Sequence, residues 1–160
     1  MSKESFQAQI VEITGAIAGK PVDADLGDFL NAEFGADCDA FKAIVATCHE
    51  GIAEGWICEN EAGGIAYGRV IDAGPATGGF SVDVVRMNDV KGPFHGHPNG
   101  EIDMIMPVDD GAVFDGAGAG WLVYGPKSAH YPTVSGGEAL VLYLLPGGAI
   151  DFKATPPDEG

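Results

Sequence analysis

Hydrophobic residues in the first third of the chain recur at helical spacing. Four apolar residues at positions i, i+4, i+7 and i+11 predict an amphipathic helix over residues 3–19. They are Phe6, Ile10, Ile13 and Ile17. Two further apolar stripes predict helices over residues 24–34 and 39–53, the last with Asp39 as its N-cap.

From Trp56 onwards, glycines separate short runs rich in Val, Ile, Phe and Tyr, a pattern typical of β-strands. The predicted strands are 56–59, 64–72, 78–87, 93–97, 101–107, 111–115, 119–124, 128–134, 138–145 and 148–153. Many short strands joined by Gly and Pro turns favour a sandwich or barrel over a parallel sheet with crossover helices. We therefore predict a mainly β fold, a small jelly-roll β-barrel behind an N-terminal helical segment.

The pattern divides the chain into three parts. Residues 1–55 form the helical segment, residues 56–154 form the barrel, and residues 155–160 form a loose tail. A chain of 160 residues suits one domain with such an extension. The helices are expected to pack on the outside of the barrel or to form a subunit contact.

The charge balance excludes two classes of partner. Eight basic and 24 acidic residues give a net charge of −16, which repels nucleic acid and anionic membranes. No apolar run approaches the ~20 residues of a membrane span, and the N-terminus lacks a secretion signal. Three cysteines (Cys38, Cys48 and Cys58) fit small buried residues in a reducing cytoplasm, where we expect the protein to reside.

Three of the four histidines lie in two short motifs. His95 and His97 stand two residues apart on a predicted strand, so both imidazoles project to one face. The turn residues 98–100 can bring Glu101 back beside them, and His130 would come from a later strand. Three nitrogens and one carboxylate suit a divalent transition ion, namely iron, manganese, nickel, copper or zinc.

Residue alternation suggests which other side chains line the site. In strand 78–87, Arg86 shares an apolar face with Phe80, Val82 and Val84, and that face is predicted to point inward. An inward arginine would either pair with an aspartate or bind a substrate carboxylate. Lys127, which precedes His130, is either solvated or placed at the barrel mouth to bind substrate.

Three residues are candidates for proton transfer. Asp103 shares a face with Glu101, so it could orient a ligand, move a proton, or pair with a nearby cation. Tyr124 and Tyr131 flank the second motif and would either donate hydrogen bonds to a bound oxygen or serve in aromatic packing. The fourth histidine, His49, lies off its helical stripe and is interpreted as solvated.

The two motifs resemble the paired motifs of the cupin superfamily, G-x5-H-x-H-x3,4-E-x6-G and G-x5-P-x-G-x2-H-x3-N. This chain keeps the three histidines and the glutamate but has Asp89, Val108 and Val134 where the pattern has Gly, Gly and Asn. The resemblance implies a cupin-type barrel and a homodimer.

The stretches from Gly92 to Pro107 and from Gly120 to Phe152 resemble the bacterial 4-hydroxylaminobenzoate lyase family. That resemblance implies a small aromatic carboxylate substrate, converted with water to protocatechuate and ammonium. It also implies a metal, held by the four residues above, that acts as a Lewis acid or presents hydroxide. Arg86 or Lys127 would then bind the substrate carboxylate.

Other functions fit the same residues. Cupins with three histidines and a glutamate include metal dioxygenases and isomerases acting on small acids. A non-catalytic small-molecule-binding cupin would hold a ligand without chemistry, and a metal-stabilised structural domain would have a closed coordination sphere and no cavity.

Overall fold

The computed structural model describes residues 2–153. Three helices open the described chain: α1 (Lys3–Ala16), α2 (Ala24–Glu33) and α3 (Asp39–Glu54). They correspond to the three predicted helices, with α1 ending before the predicted boundary at residue 19. The predicted tail, residues 155–160, lies outside the described residues, and the division of the chain into three parts stays a prediction.

The N-cap predicted for α3 is wrong by one residue. Cys38 takes this position, and its Sγ accepts a hydrogen bond from the backbone N–H of Phe41 at 3.4 Å. Asp39 instead begins the helix, where its carboxylate still suits the positive end of the helix dipole. Gly55 ends α3 with φ of 88°, a left-handed conformation that glycine adopts readily.

The strands follow the helices. They are β1 (Asn60–Ala62), β2 (Ile65–Ile71), β3 (Phe80–Lys91), β4 (His95–His97), β5 (Glu101–Pro107), β6 (Val113–Phe114), β7 (Gly120–Tyr124), β8 (Ser128–His130) and β9 (Thr133–Pro146). A 3-10 turn, Pro75–Thr77, precedes β3.

Two predicted strands are not observed. Residues 56–59 instead fold back on α3, where the backbone N–H groups of Trp56 and Ile57 donate to the carbonyl of Gly51. Residues 148–153 contribute only a single bridge between Asp151 and Gly96.

The strands form two antiparallel sheets. The larger has the order β1-β2-β3-β9-β5-β7 with β6 paired to β9, and the smaller pairs β4 with β8. The sheets enclose the two histidine motifs without closing into a continuous hydrogen-bonded barrel. This mainly β, jelly-roll-like arrangement behind N-terminal helices confirms the predicted cupin fold class.

Both faces of the large sheet contribute buried residues to the core. Its outer face packs against the helices in one cluster that joins Phe6, Leu30 and Ile44 to Val84 and Leu142. Its inner face forms a second cluster. The helices therefore pack on the outside of the sheet, the first of the two arrangements expected from sequence. None of the described helices combines the length and apolar character that a membrane crossing needs.

Candidate metal centre and adjoining cavity

The four predicted ligands come together between the two sheets. His95 and His97 lie on β4, His130 on β8 and Glu101 at the start of β5. The β4–β8 register places His95 directly opposite His130. Gly100, with φ of 93°, makes the turn that returns Glu101 to the histidines.

The ligand atoms of these residues all lie within 4.8 Å of one another. Oε1 of Glu101 lies 3.1 Å from Nε2 of His97 and 3.3 Å from Nε2 of His95. Oε2 of Glu101 lies 3.4 Å from Nε2 of His130, which is 3.2 Å from Nε2 of His95. Two atoms bound ~2.1 Å from one ion at tetrahedral or octahedral angles are about 3.0–3.4 Å apart, so the spacing fits a transition ion.

Hydrogen bonds to residues outside the cluster determine the orientation of two of the rings, those of His97 and His130. Nδ1 of His97 lies 2.8 Å from Oγ of Ser128, which donates its own proton to the carbonyl of Gly125 at 2.6 Å. Ser128 therefore accepts from Nδ1–H of His97, which leaves Nε2 of that ring as a lone pair. Nδ1 of His130 likewise lies 2.6 Å from Oδ2 of Asp115.

His97 therefore directs a lone pair at the carboxylate of Glu101, an arrangement that a cation between them would stabilise. Nε2 of His97 and Oε2 of Glu101 are buried and have no hydrogen-bond partner among the described residues. His95, His97 and Glu101 are each at most 2% exposed. Buried polar atoms without partners are costly, and a divalent ion would satisfy these atoms together. The residues present fit the predicted metal.

Asp115 is a site residue that the sequence analysis missed. Its carboxylate accepts hydrogen bonds from Nδ1 of His130, from the hydroxyl of Tyr124 at 2.5 Å and from the backbone N–H of Thr133 at 2.9 Å. Burial acts to raise the pKa of Asp115, but these hydrogen bonds outweigh it and hold that pKa below its usual value. A local signal existed, since Asp followed by Gly marks a turn beside the second motif.

His130 is correspondingly basic in the absence of metal. Burial lowers the pKa of His130, but the hydrogen bonds to Asp115 and Glu101 prevail and raise it to about 9. A proton and a metal ion would therefore compete for this ring.

Asp103 and Tyr143 lie beside the ligands on the inner face of the large sheet. Asp103 is fully buried, and neither of its carboxylate oxygens has a hydrogen-bond partner among the described residues. Burial, and next the negative charge of Glu101, raises the pKa of Asp103 well above its usual range. Tyr143 is directly opposite Asp103 in the β5–β9 register. Its ring centroid lies 6.3 Å from that of His95.

A cavity of about 480 Å³ adjoins this cluster, and His95 forms part of its wall. Its other lining residues are mostly apolar: Asn60, Ala62, Ile65, Tyr67, Gly68, Arg69, Asp83, Val85, Met87, Pro93, Pro132, Tyr143, Ile150 and Phe152. Such a cavity, with a few polar groups in an apolar wall, is typical of a small-molecule site.

The predicted inward position of Arg86 is wrong. Its side chain is 48% exposed and forms an ion pair with Glu138, with Nε 3.0 Å from Oε2, outside the cavity. The inner face of β3 instead carries Asp83, Val85 and Met87, whereas Val82 and Val84 pack towards the helices. Because helices cover the outer face, both faces of β3 are apolar, and alternation alone could not identify the inner one.

Lys127 is exposed and does not line the cavity. It has a left-handed backbone with φ of 68°, and its backbone N–H donates to the carbonyl of His97 at 2.7 Å. The structure thus places this lysine in the turn that positions β8 beside β4.

The two predicted tyrosines occupy different surroundings. Tyr124 packs against His130, with ring centroids 4.5 Å apart, while its hydroxyl is engaged by Asp115. Tyr131 packs edge-on against Phe94 at 4.9 Å and lies beneath the ammonium group of Lys91 at 4.1 Å. Tyr124 therefore contacts a predicted ligand directly, and Tyr131 belongs to an aromatic group at the side of the site. His49 is exposed, as expected.

Comparisons with solved structures give partial likenesses. An RmlC-like cupin protein from Ralstonia eutropha has a TM-score of 0.39 at 9% identity, covering 53% of this chain and 58% of that one. The DMSP lyase DddQ from Ruegeria pomeroyi has a TM-score of 0.40 at 18% identity, covering 99% of this chain and 100% of that one.

Sequence comparison is more specific. The family described as "PnbB: 4-hydroxylaminobenzoate lyase" matches residues 8–152. The 4-hydroxylaminobenzoate lyase of Pseudomonas putida is 32% identical over 163 residues, covering 90% of this chain and 93% of that protein. The enzyme of the same name from Nocardioides sp. is 35% identical over 144 residues, covering 84% and 85%. Since the family match spans nearly the whole chain and includes all four predicted ligands, the chain belongs to the 4-hydroxylaminobenzoate lyase family.

Proposed function

We propose that this protein is a metal-dependent lyase that converts 4-hydroxylaminobenzoate and water to protocatechuate and ammonium. The observation that carries the proposal is the convergence of three histidines and Glu101 beside an apolar cavity whose wall includes His95. The names of the two sequence relatives support the substrate.

The reaction is balanced without an external oxidant. The N–O bond, the ring C–N bond and one adjacent ring C–H bond break, and the ring gains two C–O bonds, so nitrogen is reduced as the ring is oxidised. One water enters and ammonia leaves. A divalent ion held by His95, His97, Glu101 and His130 supplies Lewis acidity for the departing hydroxyl group or for the attacking water.

The residues of the chain hold and orient the substrate. Val85, Met87 and Ile150 form an apolar wall that suits an aromatic ring. His95 joins this wall to the ligand cluster, which would bring the hydroxylamino group to the ligands. Tyr143 lines the same cavity, and burial raises the pKa of its phenol well above the usual value, so the hydroxyl stays a hydrogen-bond donor.

The proposal is tested by pairing elemental analysis of the purified protein with an assay for ammonium and protocatechuate. We expect about one transition ion per chain, loss of turnover on chelation, and recovery when the ion is restored. The variant Glu101→Gln should lose the ion and the activity, with Glu138→Gln as a control outside the cavity. Full turnover by the metal-free protein would contradict the metal role.

The strongest competing function is a metal dioxygenase, since the same ligand set serves oxygen chemistry. An oxygen electrode separates the two, because the lyase reaction consumes no oxygen. Turnover that stops under anaerobic conditions would favour the dioxygenase.

Asp103 is proposed as the proton carrier, in preference to Tyr124 and Tyr131. Its carboxyl group lies opposite Tyr143, and in its protonated form it can share a hydrogen bond with Glu101, whereas the hydroxyl of Tyr124 is occupied by Asp115. Asp103→Asn should reduce kcat about 10²–10⁴-fold while metal content stays unchanged. Equal kcat in variant and wild type would exclude this role, and Tyr131→Phe serves as the comparison.

A homodimer and a cytoplasmic location complete the proposal. The first rests on the cupin resemblance and the second on the three free cysteines, of which Cys48 is fully buried. Size-exclusion chromatography with light scattering tests the assembly, and a monomeric mass at micromolar concentration would exclude the dimer.

A further inference from the structure

A row of polar residues crosses the inner face of the large sheet. Strand register places Arg69 opposite Asp83, Asp83 opposite Tyr143, and Tyr143 opposite Asp103. Directly opposite residues are neighbours on one face of a sheet, so the row runs from β2 to the strand that carries Glu101. Arg69, Asp83 and Tyr143 all line the cavity.

Arg69 is held in a fixed orientation at the far end of this row. Its Nε lies 2.8 Å from Oδ1 of Asp83 and its Nη2 lies 3.2 Å from Oδ2. Nη2 also donates to the carbonyl of Gly148 at 3.2 Å. These contacts occupy one edge of the guanidinium, while Nη1 has no hydrogen-bond partner among the described residues.

A buried hydroxyl without a hydrogen-bond partner among the described residues lies near Nη1 of Arg69. Ser81 is fully buried, and its Oγ has no hydrogen-bond partner among the described residues. Gly148 lies close to both groups, since a Cβ built on it would be 2.8 Å from Nη1 of Arg69 and 3.6 Å from Oγ of Ser81. Gly148 therefore carries no side chain that would press on Nη1, and a larger residue there would displace the guanidinium.

The chain has two arginines, and their environments differ. Arg86 is outside the cavity and paired with Glu138, whereas Arg69 is the arginine in the cavity wall. A protein with a net charge of −16 needs a local cation to admit an anionic ligand. A guanidinium held by a carboxylate on one edge can bind a second carboxylate through its remaining N–H groups.

We propose that Arg69, oriented by Asp83, binds the carboxylate of the aromatic substrate and so selects benzoates over neutral hydroxylamines. The proposal rests on the proposed function, because a para-substituted ring carries its two groups at opposite ends. With the carboxylate at Arg69, the ring lies along the apolar wall and the hydroxylamino group points towards His95.

The test compares two substrates that differ only in the carboxylate: 4-hydroxylaminobenzoate and phenylhydroxylamine. Arg69→Met should raise KM for the benzoate tenfold to a hundredfold, with little change in KM for phenylhydroxylamine. Arg69→Lys, which keeps the charge but loses the fork, should give an intermediate KM. The matched control is Arg86→Met, which removes an ion-paired arginine outside the cavity and should leave both values near wild type.

Binding of unreactive benzoate, measured by titration calorimetry, separates this inference from the reaction itself. If the wild type binds benzoate and folded Arg69→Met or Arg69→Lys binds it at least tenfold more weakly, the carboxylate site stands even if turnover of 4-hydroxylaminobenzoate fails. Unchanged benzoate affinity in both folded variants, or an equal loss for both substrates, would overturn it. Circular dichroism establishes folding of each variant.

Discussion

At the scale of single residues, the orientation of His130 depends on Asp115. The carboxylate accepts a hydrogen bond from Nδ1–H of His130 at 2.6 Å and so presents Nε2 to Glu101. Groups that orient metal-binding histidines typically contribute 10–100-fold to metal affinity. Asp115→Ala should therefore weaken metal binding by about 10–100-fold.

Competition with a chelating indicator dye would measure this loss. Asp110→Ala is the matched control, because Asp110 is an exposed acid that precedes β6 and has no place in the cluster. Equal affinity in Asp115→Ala and wild type would show that Asp115 does not orient the ligand.

The raised pKa of His130 predicts how metal uptake depends on pH. In metal-free protein the ring binds a proton up to about pH 9, and that proton must leave before Nε2 can bind metal. Apparent affinity should therefore rise about tenfold per pH unit between roughly 7 and 9 from this ring alone, and then level off. In Asp115→Ala, which removes a partner that raises the pKa, the rise should end at lower pH. Metal titrations of wild type and Asp115→Ala between pH 7 and 9 measure this dependence. A metal affinity that falls as pH rises would contradict the prediction.

At the scale of elements, the spacing of the ligand motif predicted β4, the turn and β5 correctly. The shared direction of side chains at i and i+2 and the turn preference of Asn-Gly depend only on neighbouring residues, so both can be predicted without knowledge of the fold. Which face of β3 points inward cannot be predicted from the local sequence. It depends on α1–α3 covering the opposite face, which makes Val82 and Val84 as apolar as the cavity wall. Residue alternation therefore assigned Arg86 to the inner face and did not identify Arg69.

The β4–β5 turn has little space for a side chain. A Cβ on Gly100 would lie 2.7 Å from Val22 Cγ1 and 2.9 Å from the carbonyl of Tyr124, and φ is 93°. Gly111 has a similar φ of 86° but nothing within 4 Å. Gly111→Ala should therefore cost only the ~1–2 kcal/mol of a left-handed alanine. Gly100→Ala should cost more and should also displace Glu101.

Thermal unfolding and metal content of the two variants make this comparison. We expect Gly100→Ala to show the lower Tm and reduced metal binding, with Gly111→Ala retaining its metal. Equal losses of Tm and of metal in the two variants would show that the left-handed backbone conformation alone, and not the lack of space at Gly100, causes the effect.

At the scale of the whole molecule, the helices and the sheet share one core. Phe6, Leu30 and Ile44 pack in the same cluster as Val84 and Leu142. Neither part buries its apolar surface alone, so we expect the described chain to unfold as one cooperative unit.

A polar contact fastens α2 to the edge strand β7 and offers a way to test that unit. Asn31 accepts from the backbone N–H of Trp121 at 2.8 Å and donates to its carbonyl at 3.0 Å, so the side chain pairs with β7 as a neighbouring strand would. The indole N–H of Trp121 also donates to the carbonyl of Phe34 at 2.9 Å. Asn31→Ala should lower the free energy of unfolding by about 1–3 kcal/mol through the two lost bonds. Asn88→Ala, at an exposed asparagine on β3, should change it by less than about 0.5 kcal/mol.

Denaturant titrations of metal-free protein, followed by far-ultraviolet circular dichroism and by tryptophan fluorescence, measure both quantities at once. Circular dichroism at helical wavelengths reports mainly on α1–α3. The chain has a second tryptophan, Trp56, which packs against Phe6 of α1, so Trp56→Phe serves as the parent protein and leaves Trp121 to report on β7. If the molecule is one unit, the two midpoints coincide in this parent and move together when Asn31→Ala is added, because loosening α2 withdraws support from the strand that leads to His130. Separate midpoints in the parent would mean that the helices form an independent unit, and the N-terminal segment would then have no part in holding the metal ligands.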